Sequence, residues 1–282
     1  MTSTAVTPDR PAGDRRPVRA GLPLTRLSGL GLGVAMVWFS LLVLIPLAAV
    51  VVTASEGGWD GFWQTATNEQ TAATLRLTVG TALLVTLVNI VMGTLIAWVL
   101  VRDNFVGKRA LEVLIDVPFA LPTIVAGLVL LSLYGPDSPL GVNVANTRVA
   151  VFLAFLFVTL PFIVRTVQPV LAELDPEVEE AAASLGASRF VTFRRIILPS
   201  LTPAIAAGAA LSFARAVGEY GSLVLLSGNL PMRTEVASVR ILSSIENDNP
   251  DSAAAVAVML LAVSLTVIVV LDVIQRRVVR RG

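Results

Sequence analysis

The chain has 282 residues, of which 55% are hydrophobic and 15% charged, and its formal net charge is +1. Soluble globular domains carry about 25% charged residues, so this composition predicts an integral membrane protein. The sequence contains no His and no Cys, which excludes zinc sites built on imidazole or thiolate, Cys nucleophiles and Ser nucleophiles activated by His.

A phosphate-binding loop for nucleotides is also excluded. Lys108 is the only lysine, and the pair Gly107-Lys108 lacks the upstream glycine and the following Ser or Thr of such a loop. The sequence therefore predicts neither nucleotide hydrolysis nor another catalytic site in this chain. We also expect no cofactor and no metal.

Six stretches with few charges are long enough to cross a bilayer, which takes about 20 apolar residues per helix. The fourth contains Arg165, and the fifth contains Arg215 and Glu219. The sequence thus predicts an all-α, polytopic membrane protein with six transmembrane helices. The predicted spans are Leu30–Val52, Leu77–Val101, Val117–Tyr134, Val149–Leu171, Leu201–Ser227 and Ser252–Ile274.

Basic residues are distributed unequally between the two ends of these spans. Of the 21 basic residues, 16 fall on the side that holds both termini. The four at or beyond the other side are Arg76, Arg148, Arg233 and Arg240. Because cytoplasmic segments carry the excess of Lys and Arg, both termini are predicted to be cytoplasmic.

The two ends of the chain are predicted to lie outside a membrane domain at residues 28–275. Residues 1–27 are rich in Pro, Arg and small polar types, which favours a disordered cytoplasmic tail. A cleaved signal peptide is the alternative, but the uncharged run that follows exceeds the usual apolar core of about 7 to 15 residues. Residues 276–282 are predicted to form a basic cytoplasmic tail.

Aromatic residues mark the segment between the first and second spans. Trp59, Phe62 and Trp63 follow Gly57-Gly58 at spacings that place them on one helical face. Such residues favour a helix that lies in the membrane interface.

A polar segment at residues 173–200 interrupts the apolar spans and has the signals of two short helices. Asp175 is a candidate N-cap, and Gly186 can supply the left-handed stop of the first helix. Ser188 can cap the second helix, whose apolar face would hold Phe190, Phe193, Ile196 and Ile197, and Pro199 is predicted to end it. A hairpin of this kind either docks into a groove of a partner or merely connects two spans.

The residues of the hairpin carry a resemblance to a known family. Glu180, Ala181 and Ala182 are followed after three residues by Gly186, and after nine more by the run Ile196 to Pro199. This pattern resembles the E-A-A, G, I-x-L-P signature of the membrane subunits of bacterial binding-protein-dependent ABC importers. The resemblance implies a type I importer permease fold with cytoplasmic coupling helices. The implied ATPase-coupling residues are Glu180, Ala181, Ala182, Gly186, Ile196, Leu198 and Pro199.

Three further stretches resemble the sulfate/thiosulfate branch of that family. They are DVPFALPTIVAGLVLLSLYGPDSPLG, FARAVGEYGS, and GNLPMRTEV with the following SSIEND. The molybdate branch is a near relative that shares part of this framework, and it stays open as the alternative.

The resemblance also implies partners and a location. The partners would be a dimer of ATP-binding subunits that hydrolyse ATP, a second homologous permease, an extracytoplasmic sulfate-binding protein and the lipid bilayer, with no nucleic acid. A heterodimer of permeases is expected, and a homodimer is the rival. The location would be the cytoplasmic membrane of a bacterium.

Candidate residues of a translocation path follow from charges and breaks inside the spans. Arg215 lies about 18 Å along a helix from Pro203, near the middle of a bilayer. It forms a structural pair with Glu219 or contacts the substrate, and the two roles are compatible because a pair that opens would expose the guanidinium. Tyr220 lies beside this pair. Pro118 and Pro122 predict a disturbed third span that lines the path. Alternatively, Asp116 and Pro118 simply start that helix.

Two other functional classes remain as rivals at this stage. A membrane enzyme would need a nucleophile or a metal cluster, and no pair of suitable residues lies together in the spans. An ion-driven secondary transporter is compatible with six spans and a membrane Arg/Glu pair. The hairpin signature distinguishes the ATP-driven importer from that transporter.

Overall fold

The computed structural model describes residues 26–279, and helices are the only regular elements in that range. The predicted disordered tail lies almost entirely outside the described residues, as does the end of the predicted basic tail. Two π-helical turns, Ser40–Leu44 and Phe193–Ile197, join neighbouring helices. The helices are α1 Arg26–Phe39, α2 Ile45–Glu56, α3 Gly58–Thr67, α4 Glu69–Arg102, α5 Lys108–Ala120, α6 Thr123–Tyr134, α7 Arg148–Glu173, α8 Pro176–Ser184, α9 Arg189–Thr192, α10 Leu198–Val217, α11 Gly221–Leu226, α12 Ala237–Glu246 and α13 Pro250–Val279.

The chain divides into two compact units, residues 1–48 and 49–282. In the first unit, α1 exposes the large apolar side chains of Leu30, Val34 and Trp38. Exposed apolar side chains in such numbers suit contact with lipid. The second unit contains all the elements from α3 to α13.

Within the described chain, five helical segments are long and apolar enough to cross a membrane, and one bent pair can form a sixth span. The bent pair corrects the predicted third span, Val117–Tyr134, because α5 and α6 meet at 118°. Pro122, which has no N–H to donate, stands at the N-cap of α6. Pro118 lies inside α5, so the alternative that Asp116 and Pro118 start a helix is wrong.

The predicted fifth span also needs correction. Pro199 does not end the second arm of the hairpin, because the helical path from α9 continues through it into α10. Ahead of this proline the Leu198 N–H reaches back to the Phe193 carbonyl, and this wide turn lets the chain pass Pro199, whose missing N–H suits the first turn of a helix. The span then stops at Val217, and residues 218–220 separate it from α11.

Two other helix boundaries differ from the predictions, and the helix predicted at Trp59 is present. Helix α4 has 34 residues, about 51 Å at 1.5 Å per residue, and begins earlier than the predicted Leu77. Helix α13 runs past residue 275 to Val279 and takes part of the predicted basic tail into the helix. The aromatic helix is confirmed: in α3, the ring of Trp59 stacks with Phe62 at 5.9 Å and with Trp63 at 6.2 Å.

The core lies where α4, α7 and α10 pack together. A Cβ atom on Gly93 of α4 would lie 2.7 Å from the Ile163 Cβ, so glycine permits the close approach of α4 to α7. Asn89 joins the three helices, since its Nδ2 donates to Thr159 Oγ1 at 2.8 Å and to Ser212 Oγ at 3.4 Å. This core fixes the ends of the helices that carry the hairpin.

Candidate functional site

The hairpin between α7 and α10 has the caps that its sequence predicts. Asp175 Oδ1 accepts the Glu177 N–H at 2.9 Å, and Ser188 Oγ accepts the Val191 N–H at 3.4 Å. Gly186 has a φ of 81°, which glycine adopts without steric cost.

Two backbone bonds complete the stop of α8. The Ala187 N–H donates to the Ala182 carbonyl at 3.0 Å, and the Gly186 N–H donates to the Ala183 carbonyl at 2.9 Å. Together they form the Schellman motif, which satisfies carbonyls at the end of a helix. The stop of α8 is therefore fixed by backbone geometry as well as by the glycine.

Helix α8 presents different residues to the chain and to solvent. Ala182 is buried, at 8% exposure, and Glu179 is half-buried. Glu180, Ala181 and Gly186 are exposed. Of the four implied ATPase-coupling residues in the first arm, Ala182 thus packs inside this chain and the other three face outward.

The second arm does not present the single apolar face that was predicted. Phe190 is 70% exposed, whereas Ile197 is buried at 2%. The cause is the π-helical turn from Phe193, which shifts the helical register between these two residues. Ile196 is half-buried, while Leu198 and Pro199 are exposed.

An ion pair fastens the hairpin to α4. Arg102 Nη2 donates to Glu179 Oε1, and the Arg102 guanidinium lies 5.9 Å from the centre of the Trp98 ring. Trp98 in turn meets Phe193 edge to face, with 5.7 Å between ring centres. Sequence reasoning missed this network because Arg102 and Glu179 are 77 residues apart.

A second ion pair fastens α5 to α7. Arg165 Nε donates to Asp116 Oδ1 at 2.7 Å, and Arg165 Nη2 donates to Asp116 Oδ2 and, at 3.3 Å, to the Glu112 carbonyl. From the sequence alone, Arg165 served only as one of the basic residues that predict the orientation of the chain. In the structure, this arginine holds the first half of the bent pair against α7.

The pair of Arg215 and Glu219 lies where α10 ends. Arg215 Nη1 is 2.8 Å from Glu219 Oε2, so the structural pair predicted for these residues is present. Glu219 Oε1 accepts both the N–H of Ser222 at 2.9 Å and its Oγ–H at 2.8 Å. The Glu219 side chain is fully buried, and that of Arg215 is 33% exposed. Glu219 therefore neutralises the arginine and caps α11 at once.

The two helix breaks come together beside this pair. A Cβ atom on Gly127 of α6 would lie 2.7 Å from the Ser222 carbonyl oxygen of α11, and one on Gly221 would lie 2.9 Å from the Ile124 nitrogen. The beginnings of α6 and α11 are thus in close contact. Pro122, Glu219 and Tyr220 stand at these beginnings, whereas Pro118 lies apart from them in α5.

Comparison with known proteins agrees with this arrangement. Residues 89–281 match the family described as "Binding-protein-dependent transport system inner membrane component". A sulfate transport system permease protein CysT of Synechocystis sp. is 46% identical over 250 residues, which cover 86% of this chain and 87% of that protein. The CysT protein of Salmonella typhimurium is 41% identical and covers 89% and 94% of the two chains.

Solved structures show the same fold at lower identity. A bacterial ABC transporter that imports the acidic polysaccharide alginate has a TM-score of 0.74 and 18% identity, and the match covers 89% of this chain and 95% of the other. The MetNI methionine ABC transporter, in an inward-facing conformation, matches with a TM-score of 0.53. From its hairpin signature, its fold and these matches, the chain belongs to the family of binding-protein-dependent transport system inner membrane components, the permease subunits of ABC importers.

Proposed function

We propose that this permease carries sulfate and thiosulfate, and that its hairpin seats on a separate ATP-binding subunit. The sulfate assignment rests on the relatives named sulfate transport system permease proteins, which match the chain along most of its length. The stretches at residues 116–141, 213–222 and 228–236 support the same class of substrate.

The two-sided character of α8 is the observation that carries the coupling role. Its inner side is tied to α4, while Glu180, Ala181 and Leu185 lie on an outer side that meets no other helix within residues 26–279, and Leu185 is 89% exposed. An exposed apolar side chain beside an unpaired carboxylate suits a groove that has an apolar floor and a basic rim. The ATP-binding subunit would supply that groove.

Arg215 is the residue that we propose to meet the anion. A charged residue inside a membrane segment is a functional candidate because its burial is costly. Glu219 neutralises it, yet a third of its side chain stays exposed at the break between α10 and α11. A tetrahedral dianion could there accept hydrogen bonds from the guanidinium nitrogens that Glu219 leaves free.

One face of α10 suits a second permease. Ala207, Leu211 and Ala214 are exposed along it, as is Gly218 just after the helix, and Arg215 borders this face by its position on the helix. Small residues let membrane helices approach closely, so this face would form half of a path completed by the partner. We infer a heterodimer with a homologous permease. Recovery of two differently tagged copies of this chain from one detergent-solubilised complex would indicate a homodimer instead.

The same proposal implies a further partner. An extracytoplasmic binding protein would deliver the anion at the end of the helix bundle opposite the hairpin. The charge distribution, with 16 of 21 basic residues on the side of the hairpin and the termini, supports cytoplasmic termini in a bacterial cytoplasmic membrane.

Uptake of radiolabelled sulfate tests the substrate. A deletion strain should lose uptake and regain it with this gene, and unlabelled thiosulfate should compete whereas molybdate should not. Loss of molybdate uptake with intact sulfate uptake would move the protein to the molybdate branch.

Glu180→Arg tests the coupling. The reversed charge should abolish ATP-driven uptake because it removes the carboxylate that faces the ATP-binding subunit. An ion-driven carrier would keep its uptake in this variant, so unchanged transport would contradict the proposed coupling role.

A further inference from the structure

The hairpin is held to the bundle by few polar contacts. In the described part of the chain, Arg102–Glu179 is the only side-chain ion pair or hydrogen bond that joins α8 to another helix. The neighbouring Glu180 is exposed and makes no ion pair in that part of the chain. The two adjacent carboxylates therefore differ in their surroundings: Glu179 binds within the chain and Glu180 faces outward.

Arg102 also contacts the second arm of the hairpin through an aromatic pair. Its guanidinium lies close enough to the Trp98 ring for a cation–π interaction. Trp98 meets Phe193, which begins the π-helical turn between α9 and α10. Trp98 and Arg102, one turn apart on α4, thus contact the first arm through Glu179 and the second arm through Phe193.

The environment of the pair favours a stable contact. The side chains of Arg102 and Glu179 are 20% and 30% exposed, so solvent and salt screen their attraction less than that of a surface pair. The buried Arg102 Nε makes no hydrogen bond of its own. Glu179 is therefore the main acceptor that holds this guanidinium at the hairpin.

Helix α4 connects the Arg102–Glu179 ion pair to the membrane-spanning helices. Helix α4 packs along both α7 and α10. A displacement of α8 can reach these helices through the backbone connections at residues 174–175 and 186–188. Through Arg102 it also reaches α4 directly.

We propose that Arg102 is a positioning residue that fixes the hairpin on α4 and passes movements of the ATP-binding subunit to the membrane helices. The proposal rests on the coupling role of the hairpin. Packed side chains and ion pairs carry energetic coupling between distant sites. A purely structural pair would change the amount of assembled protein, whereas a positioning pair changes the sulfate moved per ATP hydrolysed.

The test uses the complete complex, with its ATP-binding subunits and binding protein, in proteoliposomes. Sulfate uptake and ATP hydrolysis are measured in the same vesicles. Arg102→Gln and Glu179→Gln should each lower the sulfate moved per ATP about fivefold, and the exchange R102E/E179R should restore at least half of the lost ratio. Glu177→Gln, which neutralises an exposed carboxylate of the same helix, should leave the ratio unchanged.

The proposal is overturned if the sulfate moved per ATP is unchanged in both single variants, or if the exchange variant moves no more sulfate per ATP than they do. It is also overturned if the variants lower only the amount of assembled complex and the exchange restores that amount.

Glu180→Arg distinguishes a failure of the positioning role of Arg102 from a failure of the coupling role of the hairpin. If E180R uncouples and E179Q does not, only the positioning role fails. If E180R stays coupled, the coupling role of the hairpin fails as well.

Discussion

At the scale of single residues, Glu219 serves two neighbours at once. One carboxylate oxygen pairs with Arg215, and the other accepts the Ser222 N–H at the start of α11. A buried charge that loses its partner costs more than the pair contributes. Loss of one member of this pair should therefore destabilise the protein more than loss of both.

Replacement of Glu219 tests that dependence. Glu219→Gln keeps an acceptor for Ser222 but leaves the guanidinium of Arg215, one third exposed, without its counter-charge, so we expect a loss of about 1 kcal/mol in stability. The double variant R215Q/E219Q should recover most of this loss because no charge remains. Thermal unfolding of the detergent-solubilised protein, followed by size-exclusion chromatography, measures both. A double variant less stable than E219Q would contradict the account. Uptake that stays low in a stable double variant would support the role of Arg215 at the anion.

Gly186 presents a second dependence on a single residue. Its φ of 81° is costly for alanine, so Gly186→Ala should weaken the stop of α8 by about 1 kcal/mol. Gly186→Asn should cost less, since asparagine visits this region more readily. Amide hydrogen exchange of residues 176–188 should quicken about fivefold in the alanine variant. Equal exchange in the two variants would show that the left-handed turn does not limit the hairpin.

At the scale of elements, α6 and α11 behave as one packed pair. Both follow a break in the chain, and Gly127 lets the backbone of α11 approach α6. A pair of short helices joined in this way can shift together at a path without unfolding either of them. Because of this close contact, we expect alanine at Gly127 to destabilise the protein more than alanine at Gly80 of α4.

Gly127→Ala places a methyl group 2.7 Å from the Ser222 carbonyl oxygen, so α6 and α11 must move apart. We expect a loss of about 1 to 3 kcal/mol. Gly80→Ala on α4 is the matched control, because nothing lies within 4 Å of its added Cβ atom. Thermal unfolding of the two variants side by side is the measurement. Equal stability of G127A and the unchanged protein would argue against tight packing of α6 on α11.

The elements also show what the sequence could and could not predict. Asp175, Gly186 and Ser188 act on residues within five positions of themselves, and the sequence located all three caps. The prediction that the helix ends at Pro199 was wrong because the π-helical turn before this proline carries the helix onward. That turn has no marked sequence signal. The bend at Pro122 was expected only as a disturbance, since its angle depends on how α6 packs against α11.

Contacts between distant parts of the chain were beyond sequence reasoning. Asp116 and Arg165 are 49 residues apart, and Arg102 and Glu179 are 77 apart. In the sequence, Arg102 and Asp116 look like ordinary charges at the end of a span, Arg165 lies within the fourth span, and Glu179 is one of several carboxylates in the hairpin. Only the packing of α5 and α8 against the bundle shows which charge meets which.

At the scale of the whole molecule, the distribution of basic residues predicts which end of the bundle is cytoplasmic. The hairpin and the end of α4 share one side, while Arg76 and Arg148 lie near the beginnings of α4 and α7, at the opposite side. The absence of cysteine makes this orientation easy to test, because every introduced thiol is the only one in the chain.

Val106→Cys and Val142→Cys are suitable single-cysteine variants, since both positions are exposed and lie at opposite ends. A thiol reagent that cannot cross membranes should label V142C in intact cells whose outer membrane has been permeabilised. It should label V106C only in inverted membrane vesicles. The reverse pattern would overturn the proposed orientation.

The opposite surroundings of Glu179 and Glu180 also bear on insertions and deletions during evolution. Successive residues of a helix point about 100° apart, so one residue gained or lost inside α8 would turn its anchored side outward and its docking side inward. Related chains should therefore keep the length of this helix even where their residues differ. The short loop at residues 103–107 is exposed and lies between two helices, so changes of length should accumulate there instead.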